Sequence, residues 1–107
     1  MPLPALTNLF APGKGQPGEE NFTTLLAGRH FEFEEIVSRG AASPDNFWYD
    51  QERDEWVLLA RGTATLRFED GSLELEAGDH LTIPAGLRHR VERTSDDAVW
   101  LALHFRR

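Results

Sequence analysis

The chain of 107 residues contains no cysteine. This absence excludes disulfide frameworks, thiolate nucleophiles and zinc or iron–sulfur sites with cysteine ligands. Basic residues are few: 11 Lys and Arg stand against 18 Asp and Glu, for a net charge of −7. Nucleic-acid binders need cations that displace counterions from phosphates, so we expect no nucleic-acid partner.

Long hydrophobic runs are also absent from the sequence. None approaches the roughly 20 residues that span a bilayer. The opening MPLPALTNLFAPGKG has neither the basic leader nor the uninterrupted apolar stretch of a secretory signal. We therefore expect no membrane partner and a cytoplasmic location.

The first 28 residues differ in composition from the rest of the chain. Prolines at positions 2, 4, 12 and 17, with glycines between them, exclude a long helix or a central strand. Apolar residues among them indicate an arm that lies across a surface, which a partner subunit could supply. Acidic residues in the first turn and Gly28 after the end predict a short helix over 19–27. The sequence thus divides into an arm with a helix (1–28) and one domain (29–107).

From residue 30 onward the hydrophobic pattern has the period of two that is typical of strands. About eight short strands follow at near-regular spacing, separated by turn clusters such as Ser43-Pro44-Asp45-Asn46 and Pro84-Ala85-Gly86. No crossover helix separates them, which excludes a parallel α/β fold. The pattern predicts an all-β protein, an antiparallel sandwich or barrel.

Two segments have more specific spacing than composition alone provides. In the second, five residues separate Gly78 from Pro84, one separates Pro84 from Gly86, and two separate Gly86 from His89. In the first, six residues separate Glu55 from Gly62. These two motifs resemble those of the cupin superfamily, in particular its small single-domain bacterial members.

The resemblance implies a double-stranded jelly-roll barrel whose lumen receives Glu55 and His89. Related cupins hold Mn, Fe, Ni, Zn or a similar divalent ion with two or three imidazoles and one carboxylate. Here the histidine pair that precedes the motif glutamate is missing, and Tyr49 and Gln51, or Trp48 and Asp50, stand in its place. We predict a metal site formed by Gln51, Glu55 and His89, with Tyr49 or Asp50 as a further ligand. Replacing imidazoles by oxygen donors favours harder ions over Ni and Zn.

Other residues are candidates for a substrate pocket in the same lumen. Arg93 shares the strand parity of His89 and would receive a carboxylate group; His104 would join His89 if its side chain faces inward. The pocket set is therefore Tyr49, Asp50, Arg93 and His104.

Three functions remain open at this point, of which the third is structural, a barrel that mainly assembles with copies of itself. In the first, a divalent metal and a small organic ligand bind in the lumen, as in metal-dependent oxygenases or isomerases of the cupin type. In the second, the lumen holds no metal and captures a small molecule, as a binding or sensor module would. The resemblance also implies a homodimer, formed through strand exchange or sheet stacking.

Overall fold

The computed structural model describes residues 2–107, which form eight strands and no helix. The strands are β1 (Glu20–Ala27), β2 (Phe31–Ser38), β3 (Asp54–Arg61), β4 (Thr63–Phe68), β5 (Gly71–Glu76), β6 (His80–Ile83), β7 (His89–Thr94) and β8 (Ala98–Phe105). The described residues accordingly include no helix that could cross a membrane. The predicted all-β fold is confirmed.

Two antiparallel sheets face each other. One has five strands in the order β1-β2-β8-β3-β6, and the other has three in the order β5-β4-β7. Strand β3 shows how the sandwich is filled, since Glu55, Val57 and Leu59 are buried while the residues between them are half-buried. Apolar side chains from both sheets form one core: Ile36, Val57, Leu59, Ala64, Leu66, Leu75, Ile83, Val91, Ala98, Trp100 and Ala102. The alternation places Glu55 on the core side of its strand.

The helix predicted over residues 19–27 is wrong, because this segment is strand β1. It forms a hairpin with β2, and the Gly28 N–H donates to the Phe31 carbonyl at 2.9 Å in the turn. A helix of two turns has little stability of its own. Phe22 and the adjacent Thr23 and Thr24 favour a strand wherever a neighbouring strand offers backbone partners.

Gly62 connects the two sheets between β3 and β4. Its φ is +86°, a conformation that glycine adopts without strain. A Cβ at this position would also overlap Ser95 Oγ and crowd Asp97 and Ala98. The glycine of the first motif therefore allows two backbone segments to approach each other closely.

The N-terminal arm covers one end of the outer face of the five-stranded sheet. Lys14 Nζ lies 2.7 Å from Glu35 Oε1, and the Arg61 guanidinium lies 4.1 Å from the centre of the Phe10 ring. Residues nearer the N-terminus do not share this cover, since Leu3 and Leu6 are 92% and 97% exposed. The second half of the arm therefore lies on its own barrel.

Candidate functional site

A cavity of about 100 Å³ lies between the two sheets. That volume holds a few water molecules or a small ligand. Its walls combine apolar core residues with a set of polar side chains: Glu20, Glu34, Tyr49, Gln51, Glu55, His89 and His104. Five of the seven site residues predicted from the sequence belong to this polar set. Asp50 and Arg93 do not.

Glu55 occupies the centre of this polar set. Strand pairing places it between His104 on β8 and Ile83 on β6. The side chain is buried, and its Oε1 atom has no hydrogen-bond partner among the described residues. A buried carboxylate oxygen without a partner is costly, and such an atom commonly faces a ligand or an ion.

His89 approaches Glu55 from the opposite sheet. Its Nδ1 lies 3.0 Å from the Leu87 carbonyl oxygen, which can only accept, so Nδ1 carries the proton. Its Nε2 atom lies 3.5 Å from Glu55 Oε1. Burial alone would lower the pKa of His89, but the Glu55 carboxylate and the Leu87 carbonyl outweigh it and raise the pKa.

The loop before β3 is held against the turn that contains the second motif. Tyr49 and His89 exchange backbone hydrogen bonds of 2.7 and 3.1 Å, and their rings stack at 5.3 Å. The Gly86 N–H donates to the Gln51 carbonyl at 2.9 Å. These contacts bring Tyr49 and Gln51 to the cavity, whereas Asp50 is exposed and lies outside it.

His104 also faces the cavity, where it pairs with a carboxylate that the sequence analysis missed. Its Nε2 lies 2.9 Å from Glu34 Oε1 and 4.0 Å from Glu55 Oε2. The hydrogen bond to Glu34 raises the pKa of His104 against the effect of burial, and the Glu55 charge raises it further. Because the Nε2–H is donated to Glu34, this nitrogen is not a ready metal ligand, while Nδ1 has no hydrogen-bond partner among the described residues.

Glu20 is the second carboxylate that the sequence analysis missed. It lies opposite Ser38, whose hydroxyl donates to Glu20 Oε2 at 2.8 Å. Burial raises the pKa of Glu20, the Ser38 hydrogen bond partly opposes this, and the charges of Glu34 and Glu55 raise it again. Glu34 shares the strand parity of Ile36, and this signal could have placed it inside. Glu20 was missed because a helix was predicted over residues 19–27.

Arg93 lies on the surface, because a β-bulge changes the parity of β7. Arg93 pairs with Thr65 and Val91 pairs with Leu66, so Glu92 is an extra residue. His89 and Val91 face the cavity, but Arg93 is exposed and its Nη2 donates to Thr63 Oγ1 at 3.1 Å. Strand parity predicted Arg93 in the pocket, but the structure does not bring it there.

Tyr49 contributes a phenol that stays protonated near neutral pH. Burial, and then the negative charges of the three cavity glutamates (Glu20, Glu34 and Glu55), raise its pKa to about 12. The Tyr49 hydroxyl is therefore available as a hydrogen-bond donor in the cavity.

The donor atoms fit a divalent cation in part. With its proton on Nδ1, neutral His89 presents the Nε2 lone pair to Glu55 Oε1, so two acceptors face each other without a shared donor. A cation or a proton between them would remove the conflict. Within residues 2–107 no three His, Asp or Glu side chains are arranged as a complete metal site. A three-ligand set must therefore include another donor type, and the Gln51 amide lies in the same cavity.

Comparison with known proteins identifies the family. The family model described as Cupin domain (Cupin_2) matches residues 33–104. The chain belongs to this family. A comparison with curated proteins gave no match.

The chain is also similar to several solved structures. A candidate mannose-6-phosphate isomerase from Ralstonia eutropha is 39% identical with a TM-score of 0.90, over 97% of this chain and 100% of that one. A cupin-superfamily sugar phosphate isomerase from Silicibacter pomeroyi is 26% identical with a TM-score of 0.65, over 82% and 60%. A cupin-2 domain protein from Shewanella frigidimarina, 19% identical with a TM-score of 0.70 over 87% and 85%, shares the fold.

Proposed function

We propose that this cupin binds a divalent cation and a small polar organic ligand together in its lumen. Glu55, His89 and Gln51 hold the cation. The observation that carries the proposal is the 3.5 Å approach of His89 Nε2 to Glu55 Oε1, a buried oxygen without a hydrogen-bond partner among the described residues. When His89 is neutral, these two atoms are both acceptors. The Leu87 carbonyl fixes the His89 tautomer, as an outer-shell partner of a metal-ligating histidine does.

The donor set favours a hard or intermediate ion. One imidazole with a carboxylate and an amide oxygen suits Mn²⁺ or Fe²⁺ better than Ni²⁺ or Zn²⁺, which bind more strongly to sites rich in nitrogen. We therefore expect the ratio of the Kd for Mn²⁺ or Fe²⁺ to the Kd for Zn²⁺ to be smaller here than in a site with three histidines.

The chemistry we propose is isomerisation of a sugar-derived carbonyl compound. The names of the two isomerase-like neighbours support this class. A bound divalent ion supplies a Lewis acid that polarises a carbonyl oxygen. The chain contributes the remaining groups: the Tyr49 hydroxyl donates a hydrogen bond, and the Glu34–His104 pair, at 2.9 Å, holds a proton at His104 Nε2 beside the cavity.

A metal-free binding module is the second candidate. It is favoured by the lack of three converging His, Asp or Glu ligands among the described residues. In that case a proton on His89 Nε2 takes the place of the cation and pairs with Glu55.

Titration calorimetry with Mn²⁺ on the metal-free protein distinguishes the two candidates. We expect saturable binding at one site, weakened about 10-fold to 100-fold by His89→Asn. His80→Asn is the matched control, because His80 is exposed and lies outside the cavity. Absence of binding of Mn²⁺, Fe²⁺, Ni²⁺ and Zn²⁺ by the folded wild-type protein would overturn the metal proposal in favour of the second candidate.

A further inference from the structure

The wall of the cavity carries an excess of negative charge. Its lining within the described residues includes three glutamates and neither arginine nor lysine. Two of the glutamates face an imidazole: Glu34 faces His104 at 2.9 Å, and Glu55 faces His89 at 3.5 Å. Glu20 receives only a neutral hydroxyl donor, from Ser38. In the metal-free cavity, one uncompensated carboxylate remains even with both imidazoles protonated. A bound Mn²⁺, with His89 neutral and His104 protonated, would bring the sum of these charges to zero.

The basic residues that flank the site residues in the sequence lie beside other carboxylates. Arg53 Nη2 lies 3.3 Å from Glu32 Oε1, Arg88 Nη1 lies 3.2 Å from Glu69 Oε1, and Arg90 Nε lies 3.0 Å from Glu92 Oε2. Protein sites for phosphate groups use Arg, Lys or a row of backbone N–H donors at a helix N-terminus. The described part of this chain presents neither of these to the lumen.

The uncharged hydrogen-bonding groups suit hydroxyls instead. The Tyr49 phenol and the Gln51 amide line the cavity, and the buried Trp100, another lining residue, leaves its Nε1–H without an acceptor. Carboxylates accept hydrogen bonds from hydroxyl or ammonium groups. A polyhydroxylated ligand can therefore satisfy both the donors and the acceptors of this wall.

We infer that the metal-free lumen prefers an uncharged or cationic hydroxylated ligand, such as a free sugar or an amino sugar, over phosphate esters. The inference rests on the proposed function, which supplies the ligand site. It differs from what the names of the sugar-phosphate neighbours suggest, because in this chain a phosphate would meet carboxylates in a partly dehydrated cavity, where like charges repel more strongly than in water.

A matched set of three hexoses tests the inference. Mannose, mannosamine and mannose 6-phosphate share one ring and differ in charge. We expect calorimetry on the metal-free protein to show mannose and mannosamine binding, and mannose 6-phosphate binding at least about tenfold more weakly. The positive charge of a bound Mn²⁺ should reduce this difference in affinity. Binding of mannose 6-phosphate to the metal-free protein as tightly as mannose, or more tightly, would overturn the inference.

Two variants show where the selectivity arises. Glu20→Gln removes one cavity charge with little change of shape. It should reduce the difference in affinity between mannose and mannose 6-phosphate. Glu19→Gln removes an exposed charge next to Glu20 and should leave this difference in affinity unchanged. Equal effects of the two variants would contradict a local origin in the cavity wall and overturn the inference.

Failure of this inference is distinguishable from failure of the proposed function. If Mn²⁺ binds, and the metal-free protein binds mannose 6-phosphate as tightly as mannose, the proposed function stands and the inference is overturned. If none of the three sugars binds, the organic ligand of the proposed function is wrong, and the inference is overturned with it.

Discussion

Glu55 and His89 reach the same point from opposite sheets, with Glu55 Oε1 and His89 Nε2 3.5 Å apart. Glu55 lies on β3 of the five-stranded sheet, and His89 begins β7 of the three-stranded sheet. The polar site therefore crosses the sandwich instead of lying on one wall. A cation bound by both side chains would join the two sheets and stabilise the folded state by mass action.

Replacing Glu20 by glutamine should stabilise the protein at neutral pH. Burial and the neighbouring carboxylates raise the pKa of Glu20, so its contribution to stability is present below about pH 4.5 and is lost as pH rises through the folded-state pKa. Glutamine keeps the acceptor for the Ser38 hydroxyl and removes the charge. We expect a gain of about 0.5 kcal/mol in the free energy of unfolding at pH 7, measured by urea denaturation. Glu19→Gln, at an exposed position, should give no gain, and a loss of stability in Glu20→Gln would contradict the prediction.

The metal-free protein should lose stability as pH rises above about 6.5. The Glu34 hydrogen bond and the Glu55 charge raise the pKa of His104 against burial and the nearby Arg53. The pKa of His89 is raised in the same direction. A raised histidine pKa contributes stability that is complete below the unfolded value and disappears as pH rises through the folded value.

Thermal melts between pH 5.5 and pH 8.5 check this prediction. His104→Gln should flatten the decline on the alkaline side, whereas His30→Gln, at an exposed position outside the cavity, should leave it unchanged. A melting temperature that rises steadily from pH 6 to pH 8 in the wild-type protein would mean that the sign is wrong.

Gly62→Ala should destabilise the fold by about 1–3 kcal/mol. Gly40 provides the matched control, because its φ of +76° is similar but a Cβ there would meet nothing within 4 Å. Gly40→Ala therefore reports backbone strain alone, and Gly62→Ala reports strain together with the overlap with Ser95. Chemical denaturation of both variants gives the difference, and equal losses would show that the close approach at Gly62 has no energetic consequence.

The strands of the barrel were predictable from the sequence because their signal is local. Period-two alternation and turn residues located β2 to β8, and the resemblance to the cupin superfamily, carried by the motif spacing, implied that Glu55 and His89 lie within the lumen. The first strand was not predictable in this way. Residues 20–27 carry helix-like end signals, and only the backbone partners offered by β2 make them a strand.

The site was predicted in part, for two physical reasons. Alternation assigns residues to two faces, but on β2 both faces carry apolar residues, Phe31 and Phe33 on one and Ile36 on the other, so Glu34 was overlooked. Parity also fails wherever a bulge adds a residue, as Glu92 does before Arg93. The approach of His104 to Glu34 depends on the pairing of β2 with β8, which no local pattern encodes.

The homodimer stays a prediction, and we propose the outer face of the five-stranded sheet as its interface. There Leu103 lies in register between Phe33 and Trp56, and all three are half-buried. The almost fully exposed Leu3 and Leu6 of the arm would extend the contact to the second copy. Sedimentation velocity should show a dimer for the wild-type protein and a folded monomer for Leu103→Glu.

The matched control is Leu73→Glu, since Leu73 is 48% exposed on the other sheet. This variant should remain a dimer. If Leu103→Glu fails to fold, a double change of Leu3 and Leu6 to serine should still weaken association, because these side chains support no core contact. A wild-type protein that is monomeric at 100-fold dilution and at high concentration alike would contradict the proposed interface.

Anomalous diffraction from crystals soaked in MnCl₂ tests the central claim most directly. The account predicts an anomalous peak inside the barrel, within about 2.2 Å of both Glu55 Oε1 and His89 Nε2. It also predicts that the peak disappears in crystals of His89→Asn. A cavity without an anomalous peak in saturated wild-type crystals, or a Mn²⁺ ion bound without either of these two side chains, would contradict it.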